Sequence, residues 1–287
     1  MDKTPAYNGE RMQETYPAAR WRVLRTSPHD GATNMAIDEA ILLAVAAGAA
    51  PPTLRFFAWD PPCLSLGYAQ SVGDIDLARL RSHGYDLVRR ATGGRAILHT
   101  DELTYSVTAP DSDARLSGGI VESYRRLSAG LLVGLERLGL NVNNHRGAPA
   151  ASLSGPVCFE VPSNYEITAG GKKLVGSAQL RKQGVALQHG TLPLTGDITR
   201  ICEVLVFDDE AARSRARAHV AARATTIADV LGTELDWETA ATAMAVGFAQ
   251  ALNVELKPGA LSDWELETVE QVRAEKYGNG EWTTRVA

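Results

Sequence analysis

A thiol and an amine lie close together in the middle of this chain, and both can do covalent chemistry. Cys158 stands between Pro156 and Pro162, which disfavour helix, so we expect it on an irregular segment. Further on, Ala169-Gly-Gly-Lys172 is typical of a tight hairpin, and Lys173 begins the returning strand. Because a nearby cation lowers a thiol's pKa and makes it a strong nucleophile, the pair indicates acyl transfer through a thioester. The alternative is that Cys158 is a small buried side chain without chemistry.

Two further segments carry groups that can hold a ligand. The first is Arg89-Arg-Ala-Thr-Gly-Gly-Arg-Ala-Ile-Leu-His99, in which two arginines leave a strand and enter a Gly93-Gly94 loop. Its amides and cations could hold a carboxyl, a phosphate or a thioester carbonyl, although hairpin turns use the same glycine pair. It lacks the spacing of a P-loop or a dinucleotide-binding loop, which disfavours ordinary nucleotide-binding folds. In the second segment, Gly176-Ser-Ala178 leaves backbone open to a small ligand, and His189 is either a structural residue or a base.

Strands and helices that must position these groups are predicted along the whole chain. Within the first helix, the adjacent residues Asp38 and Glu39 point in different directions, and their default role is helix-start electrostatics. The β-rich runs 54–59 and 63–68, separated by Pro61-Pro62, are predicted to be neighbouring strands with Cys63 in the core. The Pro258-Gly259 pair predicts a hinge before a last helix. The other predicted strands are 21–24, 87–88, 103–108, 165–168 and 184–194, and the predicted helices are 33–48, 74–83, 120–138, 198–205, 209–222, 226–231, 237–252 and 262–277.

Length and composition narrow the class of protein. With 287 residues, 45% of them hydrophobic, the chain can bury a full core as one large domain or one domain with a short appendage. Three cysteines at distant spacings predict neither a disulfide framework nor a metal site, and a reducing cytoplasm fits best. The absence of a long apolar run predicts a soluble protein, and a net charge of −5 disfavours general nucleic-acid binding.

Four motifs in order resemble those of the biotin/lipoate protein ligase superfamily: Thr33-Asn-Met-Ala-Ile-Asp-Glu39, the segment from Arg89 to His99, Lys173-Leu-Val-Gly-Ser-Ala178 and Gln188-His-Gly190. The resemblance covers about residues 21–255 and, within the superfamily, is greatest to octanoyltransferases of the LipM type. In that group a cysteine inside a Cys-Phe-x-x-Pro-Ser-x-Tyr-Glu segment carries the acyl group, and Cys158-Phe-Glu-Val-Pro-Ser-Asn-Tyr-Glu166 matches it.

The resemblance implies an α/β (α+β) fold, a mixed β-sheet packed with helices around a tunnel for an eight-carbon chain. It implies three segments: an N-terminal lead-in (1–20), a catalytic domain (21–255) and a C-terminal helical extension (256–287). Cys158 and Lys173 would be catalytic, without metal or cofactor. The implied substrate-binding residues are Arg90, Gly93, Gly94, Arg95, His99, Gly176, Ser177 and His189.

The implied activity is that of an acyltransferase, a lipoyl(octanoyl) transferase, acting as a cytoplasmic monomer without nucleic-acid or membrane partners. The octanoyl group would pass from octanoyl-acyl carrier protein through Cys158 to a lysine of a lipoyl domain or the glycine-cleavage H protein. Because these partners are expected to be acidic, cations could steer docking. These cations are Arg89, Arg90, Arg95, Lys172, Arg181 and Lys182.

Three other functions stay open. One is an ATP-dependent lipoate ligase, which would need ATP and Mg²⁺; such ligases usually have a third glycine where this chain has Arg95. Another is an amidotransferase that moves octanoyl between lipoyl domains, and the last is a non-catalytic binder of lipoyl domains. A biotin ligase is disfavoured because no separate DNA-binding or biotin-ligase C-terminal domain is evident.

Overall fold

The computed structural model describes residues 15–145 and 166–286, which form two sheets and the helices that cover them. The large mixed sheet has the strand order β11-β1-β2-β6-β10-β9-β8-β7, and a small sheet has the order β4-β3-β5. The strands are β1 (Ala19–Arg25), β2 (Thr53–Phe57), β3 (Cys63–Leu66), β4 (Asp86–Arg89), β5 (Ile97–His99), β6 (Glu102–Pro110), β7 (Val142–His145), β8 (Glu166–Ala169), β9 (Lys172–Lys182), β10 (Val185–Pro193) and β11 (Val254–Pro258).

Helices follow and separate these strands. They are α1 (Gly31–Ala46), α2 (Leu77–Ser82), α3 (Ile120–Arg137), α4 (Glu210–Arg223), α5 (Ile227–Leu231), α6 (Trp237–Leu252), α7 (Asp263–Val272) and α8 (Gly280–Thr284), with a 3₁₀ helix at Ile198–Val204 and a π-helical turn at Arg273–Tyr277. The predicted α/β fold with a mixed sheet is confirmed. In the described parts of the chain, no helix combines the length and the apolar character that crossing a bilayer requires.

Each face of the large sheet is covered by its own helices. Helices α3 and α6 pack on one face. They approach so closely that a side chain at Gly247 would meet the backbone of Gly130 and Gly134. On the other face α1 is buried on nearly every side, between the sheet and α7. A helix that is apolar all round is expected to be a central one. Charged residues of α1 therefore have to find partners inside the protein.

Several predictions about these elements are wrong. Strands β2 and β3 are not neighbours, since β2 pairs with β1 and β6 whereas β3 pairs with β4 and β5. The consecutive Pro61 and Pro62 between them offer no N–H groups to a ladder, so the chain leaves one sheet and enters the other. The helix predicted at 198–205 is 3₁₀, and the helix predicted to end the chain gives way to a π-helical turn at Arg273.

The C-terminal part of the chain is tied to both sheets. Strand β11, which spans the predicted boundary at residue 255, pairs in parallel with β1. At the other end, Trp282 Nε1 donates to the Arg89 carbonyl at 2.8 Å and Arg89 Nε donates to the Thr283 carbonyl at 2.9 Å. The division into three segments stays a prediction. These contacts place α8 beside the end of β4, where the glycine loop begins.

Candidate active site

The sheet register brings two of the sequence motifs together. Strand β9 runs antiparallel to β10, with Ala178 opposite His189, Ser177 opposite Gly190 and Gly176 opposite Thr191. A side chain at Gly190 would collide with Ser177 and with the Gly176 carbonyl oxygen, 2.6 Å from its Cβ. Glycine at this position therefore permits the two strand segments to lie flush at the site.

The Gly93-Gly94 loop closes over these strands from the small sheet. Gly94 has a φ of +97°, and a Cβ at Gly67 would overlap the Gly94 carbonyl oxygen. Arg90, only 3% exposed, holds the loop from below: its guanidinium donates to the carbonyls of Gly93 and Arg95 at 2.9 and 2.8 Å. The loop is consequently fixed by a buried arginine and by the contact between Gly67 and Gly94, which leaves no room for a side chain at Gly67.

Two adjoining spaces lie at this loop. The first, here called the buried cavity, has a volume of about 50 Å³ and lies between the two sheets. The second, here called the open cleft, has a volume of about 730 Å³, within the range of small-molecule sites. Gly93 and Gly94 line both. The buried cavity is lined by Met35, Trp59, Ser65, Arg90, Gly93, Gly94, Ile97, His99, Thr104, Gly176, Ser177, Ala178, His189, Gly190 and Thr191.

His189 is held in the buried cavity by a chain of polar groups from three elements. Its Nδ1 lies 3.2 Å from Asp38 Oδ2 in α1, and its Nε2 lies 2.7 Å from Thr92 Oγ in the glycine loop. Burial lowers the pKa of His189 and outweighs the opposing effect of Asp38, so the ring is neutral. Since a carboxylate only accepts, Nδ1 carries the proton and Nε2 accepts from the Thr92 hydroxyl.

Asp38 is itself fixed by a buried arginine. Arg55, which is 0% exposed, donates to Asp38 Oδ1 at 2.8 Å and to the Asn34 side chain at 2.7 Å. Burial works to raise the pKa of Asp38, but the hydrogen bond from His189 and the charge of Arg55 outweigh it and hold that pKa below its usual value. Ser106 Oγ also donates to Oδ1 at 2.9 Å. Asp38 is thus an ionised, fully partnered carboxylate.

A second histidine is held in the same way from the opposite side of the cavity. His99 Nδ1 donates to Glu102 Oε1 at 2.7 Å, and His99 Nε2 lies in hydrogen-bond contact with Ser65 Oγ at 2.8 Å. Trp59 stacks on the ring at 3.9 Å between centroids, and its Nε1 donates to Thr104 Oγ at 2.8 Å. Both ring nitrogens of each histidine are therefore committed to partners within the protein.

Ser177 faces a buried tyrosine. Gln188 Nε2 donates to the Tyr105 hydroxyl at 2.9 Å, so that hydroxyl donates in turn to Ser177 Oγ at 2.8 Å. Burial raises the pKa of Tyr105 well above its usual value, which keeps the phenol protonated as a donor. The Ser177 hydroxyl then has its own proton available for a ligand in the cavity.

The structure brings together most of the predicted site residues. Seven of them line the buried cavity: Arg90, Gly93, Gly94, His99, Gly176, Ser177 and His189. Arg95 lines the open cleft. Lys173 is 5% exposed, and its Nζ would lie 3.9 Å from a Cβ at Gly176, beside the cavity. Cys158 lies outside the described residues. The roles assigned to all of these residues stay predictions.

Two sequence predictions near the site are wrong. Asp38 and Glu39 do point in different directions, but they lie well inside α1 and form buried networks instead of stabilising its start, where Asp30 is the N-cap. Arg89 and Arg90 are 0% and 3% exposed, so they cannot attract a partner from solution as steering cations. Cys63 is buried in the core as predicted, and burial raises the pKa of its thiol.

Five polar residues of the site were missed: Asp38, Ser65, Thr92, Glu102 and Thr104. Asp38 had a recognisable signal, because a carboxylate in an otherwise apolar helix must be paired once that helix is buried. Thr92 lies inside the predicted glycine-loop segment, whose arginines and glycines drew attention instead. Ser65, Glu102 and Thr104 lie on strands whose sequence spacing gives no sign of a common site. Among the residues that the structure describes, no three His, Cys, Asp or Glu side chains cluster in a way that could hold a metal ion.

Residues 30–249 match the family model described as the lipoyl protein ligase A/B catalytic domain. An octanoyltransferase LipM from Kyrpidia tusciae is 44% identical over 271 residues, covering 92% of this chain and 98% of that protein. The octanoyltransferase LipM of Moorella thermoacetica is 44% identical over 272 residues, covering 94% and 99%.

Solved structures show the same fold. The bipartite lipoate protein ligase of Thermoplasma acidophilum, studied with its E2 lipoyl domain, matches with a TM-score of 0.80 at 23% identity, covering 94% of this chain and 98% of that one. A lipoate-protein ligase A bound with ATP matches with a TM-score of 0.75 at 24% identity, covering 94% and 100%. This chain therefore belongs to the lipoyl protein ligase A/B catalytic-domain family.

Proposed function

We propose that this protein is an octanoyltransferase of protein lipoylation, an acyltransferase that acts on a lysine of a lipoyl domain or of the glycine-cleavage H protein. The observation that carries the proposal is 44% identity over more than nine-tenths of the chain to relatives known as octanoyltransferases. The motif around Cys158 supports the same activity and gives it a nucleophile.

In the proposed first step, the Cys158 thiolate attacks the thioester carbonyl of octanoyl-acyl carrier protein. The carbon–sulfur bond to the carrier breaks, the carrier leaves as a thiolate that takes up the proton lost by the Cys158 thiol, and octanoyl is now bound to Cys158 as a thioester. In the second step, the ε-amine of the acceptor lysine attacks this thioester, the carbon–sulfur bond to Cys158 breaks, and the amide forms as the nitrogen gives up a proton to the departing Cys158 thiolate. Because an amide is more stable than a thioester, this two-step transfer needs neither ATP nor another cofactor.

Lys173 is placed for an electrostatic role in both steps. Its side chain passes over Gly176, next to Ser177 and the buried cavity, and only 5% of the residue is exposed. A cation in such a poorly solvated position would favour the thiolate and stabilise the negative oxygen that develops at the carbonyl carbon. The Ser177 hydroxyl, oriented by Tyr105, could donate to the same oxygen.

The two histidines are better suited to shaping the site than to moving protons. His99 and His189 have both ring nitrogens in hydrogen bonds, and His189 is neutral. We therefore propose that they line the acyl site together with Gly93, Gly94 and Gly176. Arg90 would act indirectly, by holding the loop, and Arg95 would face a substrate in the open cleft. We further propose a cytoplasmic monomer.

Intact-mass spectrometry after incubation with octanoyl-acyl carrier protein, without ATP, tests the proposal. We expect an adduct of about 126 Da that hydroxylamine removes from the wild type and that Cys158→Ala does not form. The Cys63→Ala variant is the matched control, because Cys63 is buried in the core and should leave the adduct intact. An adduct that persists in Cys158→Ala would contradict the proposed nucleophile.

A ligase remains the second candidate, because the fold is shared with a lipoate-protein ligase A bound with ATP. It would join free octanoate or lipoate to a lipoyl domain only when ATP and Mg²⁺ are supplied, and Cys158→Ala would keep that activity. An amidotransferase would accept octanoyl from a lipoyl domain or H protein but not from the carrier protein. Parallel assays with these three donors separate the alternatives.

A further inference from the structure

The wall of the open cleft carries an excess of positive charge. Arg95 comes from the glycine loop, Lys182 from the end of β9 and Lys276 from the π-helical turn after α7. One carboxylate, Glu39 of α1, lies among them. Three cations around one anion leave a net charge of about +2 on a surface that faces solvent.

The lysines converge on Glu39 without exhausting their hydrogen-bonding capacity. Glu39 Oε1 accepts from Lys182 Nζ at 2.9 Å, and Oε2 accepts from Lys276 Nζ at 2.5 Å and from the Tyr277 hydroxyl at 2.6 Å. Burial works to raise the pKa of Glu39, but these donors outweigh it and hold that pKa below its usual value. Because an ammonium has three donors, Glu39 positions both lysines and leaves donors on each for a second anion.

The cleft begins where the reaction would take place. Its Gly93 and Gly94 also line the buried cavity, and β9 runs from Ser177 at the cavity to Lys182 at the cleft. Five residues of strand span roughly 16 Å. From its thioester sulfur to its phosphate, the extended pantetheine arm of an acyl carrier is about as long as four extended residues. This length is roughly 15 Å.

We propose that Lys182, Lys276 and Arg95 form a binding site for the phosphodiester at the end of the pantetheine arm of the acyl donor. This site rests on the proposed octanoyltransferase function and adds a recognition element to it. With the thioester carbonyl at the glycine loop, the arm lies along β9 and its phosphate reaches the two lysines. Lys276 gives the C-terminal part of the chain a direct place in substrate binding.

Two small donors test the site: S-octanoyl-4′-phosphopantetheine and S-octanoyl-pantetheine, which lacks the phosphate. The measured quantity is the ratio of their kcat/KM values. We expect a ratio of about ten for the wild type, and a ratio near one for the double variant Lys182→Met, Lys276→Met. Lys257→Met removes an exposed lysine that is paired with Glu255 on β11, and it should keep the wild-type ratio.

A further variant keeps all three cations. Glu39→Gln removes the competing negative charge. Its amide oxygen can still accept from Lys276 and Tyr277, whereas its NH2 group faces Lys182 and releases that ammonium to a second anion, so the ratio should rise above the wild-type value. The ratio of the two kcat/KM values should also fall as ionic strength rises, since the lysines are partly exposed. Thermal unfolding of each variant identifies any that fail to fold. If the double variant does not fold, the ratio measured for Glu39→Gln is the test: a raised ratio supports the phosphate site, and an unchanged or lower ratio contradicts it.

The outcomes separate this inference from the function on which it rests. Equal use of both donors by the wild type would overturn the phosphate site and leave octanoyl transfer standing. No transfer from either donor or from octanoyl-acyl carrier protein would overturn both. If the double variant lost only an ATP-dependent reaction with free octanoate, the cations would serve a nucleotide phosphate, and the proposal would be wrong.

Discussion

The buried cavity and the open cleft adjoin at Gly93 and Gly94, yet they treat charge in opposite ways. Around the cavity, Asp38 is shared between Arg55 and His189, and all three are nearly inaccessible to solvent. In the cleft, Lys182 has 41% of its side chain exposed while it contacts Glu39. Buried charges must be fully paired because desolvation is costly, whereas exposed cations can exchange partners. The cavity is thus built to hold a fixed shape, and the cleft is built to receive an anion.

The largest expected effect is that of Asp38→Asn, which leaves the Arg55 guanidinium buried without a countercharge. Removing one partner of a buried pair should lower the free energy of unfolding by about 3 to 5 kcal/mol. Urea unfolding measures it, with Glu255→Gln at an exposed ion pair as the control. Similar unfolding midpoints for the two variants would remove the contrast between buried and exposed charges.

Next in size is Gly67→Ala, which puts a Cβ against the Gly94 carbonyl oxygen. Because a backbone atom cannot move aside cheaply, we expect a loss of about 1 to 3 kcal/mol and a displaced loop that impairs octanoyl transfer. Gly93→Ala, where a Cβ meets nothing within 4 Å, is the control for stability. If both variants unfold at the wild-type temperature, close packing does not fix the loop.

A third prediction concerns acid. Because burial lowers the pKa of His189 from its usual 6.5, the unfolded chain takes up a proton at a higher pH than the folded protein does. The stabilisation from neutral His189 is therefore fully present above about pH 6.5 and is lost as the pH falls below it, by at most about 1.4 kcal/mol per pH unit.

His189→Gln should flatten the dependence of unfolding free energy on pH below about 6.5, where the unfolded chain takes up the proton first. His83→Gln, which replaces an exposed ring that does not line the cavity, is the matched control. The same slope in both variants would mean that His189 is not the group that resists protonation.

The smallest effect is expected in the cleft. Lys182→Met breaks a partly exposed ion pair and should change the free energy of unfolding by less than about 1 kcal/mol, since Lys276 and Tyr277 still contact Glu39. Chemical denaturation beside Lys257→Met measures the difference. A loss as large as that of Asp38→Asn would show that the cleft is a structural ion-pair network like the cavity.

Many of the elements could be predicted from local patterns. Helix α3 ends within a residue of its predicted bounds because its apolar stripe repeats at helical spacing, and β10 follows from a run of β-formers after a turn. Short strands such as β5 and β7 were missed, because three or four residues carry too little pattern. Strand β11 was also missed, and only its last residue falls in the predicted Pro258-Gly259 hinge, because its pairing with β1 joins residues far apart in sequence.

What the sequence determined by itself is the set of motifs, and with them the family and the candidate nucleophile, because the chemistry of Cys158, Lys173 and the glycine loop depends on residue types in order along the chain. Only the tertiary structure decided which of the charged residues are free to meet a substrate. Arg89 and Arg90 look like surface cations in the sequence but are buried, whereas Lys276, far from every motif, reaches the cleft. The physical reason is that burial and pairing depend on which elements pack together, and this is set by contacts between residues hundreds of positions apart.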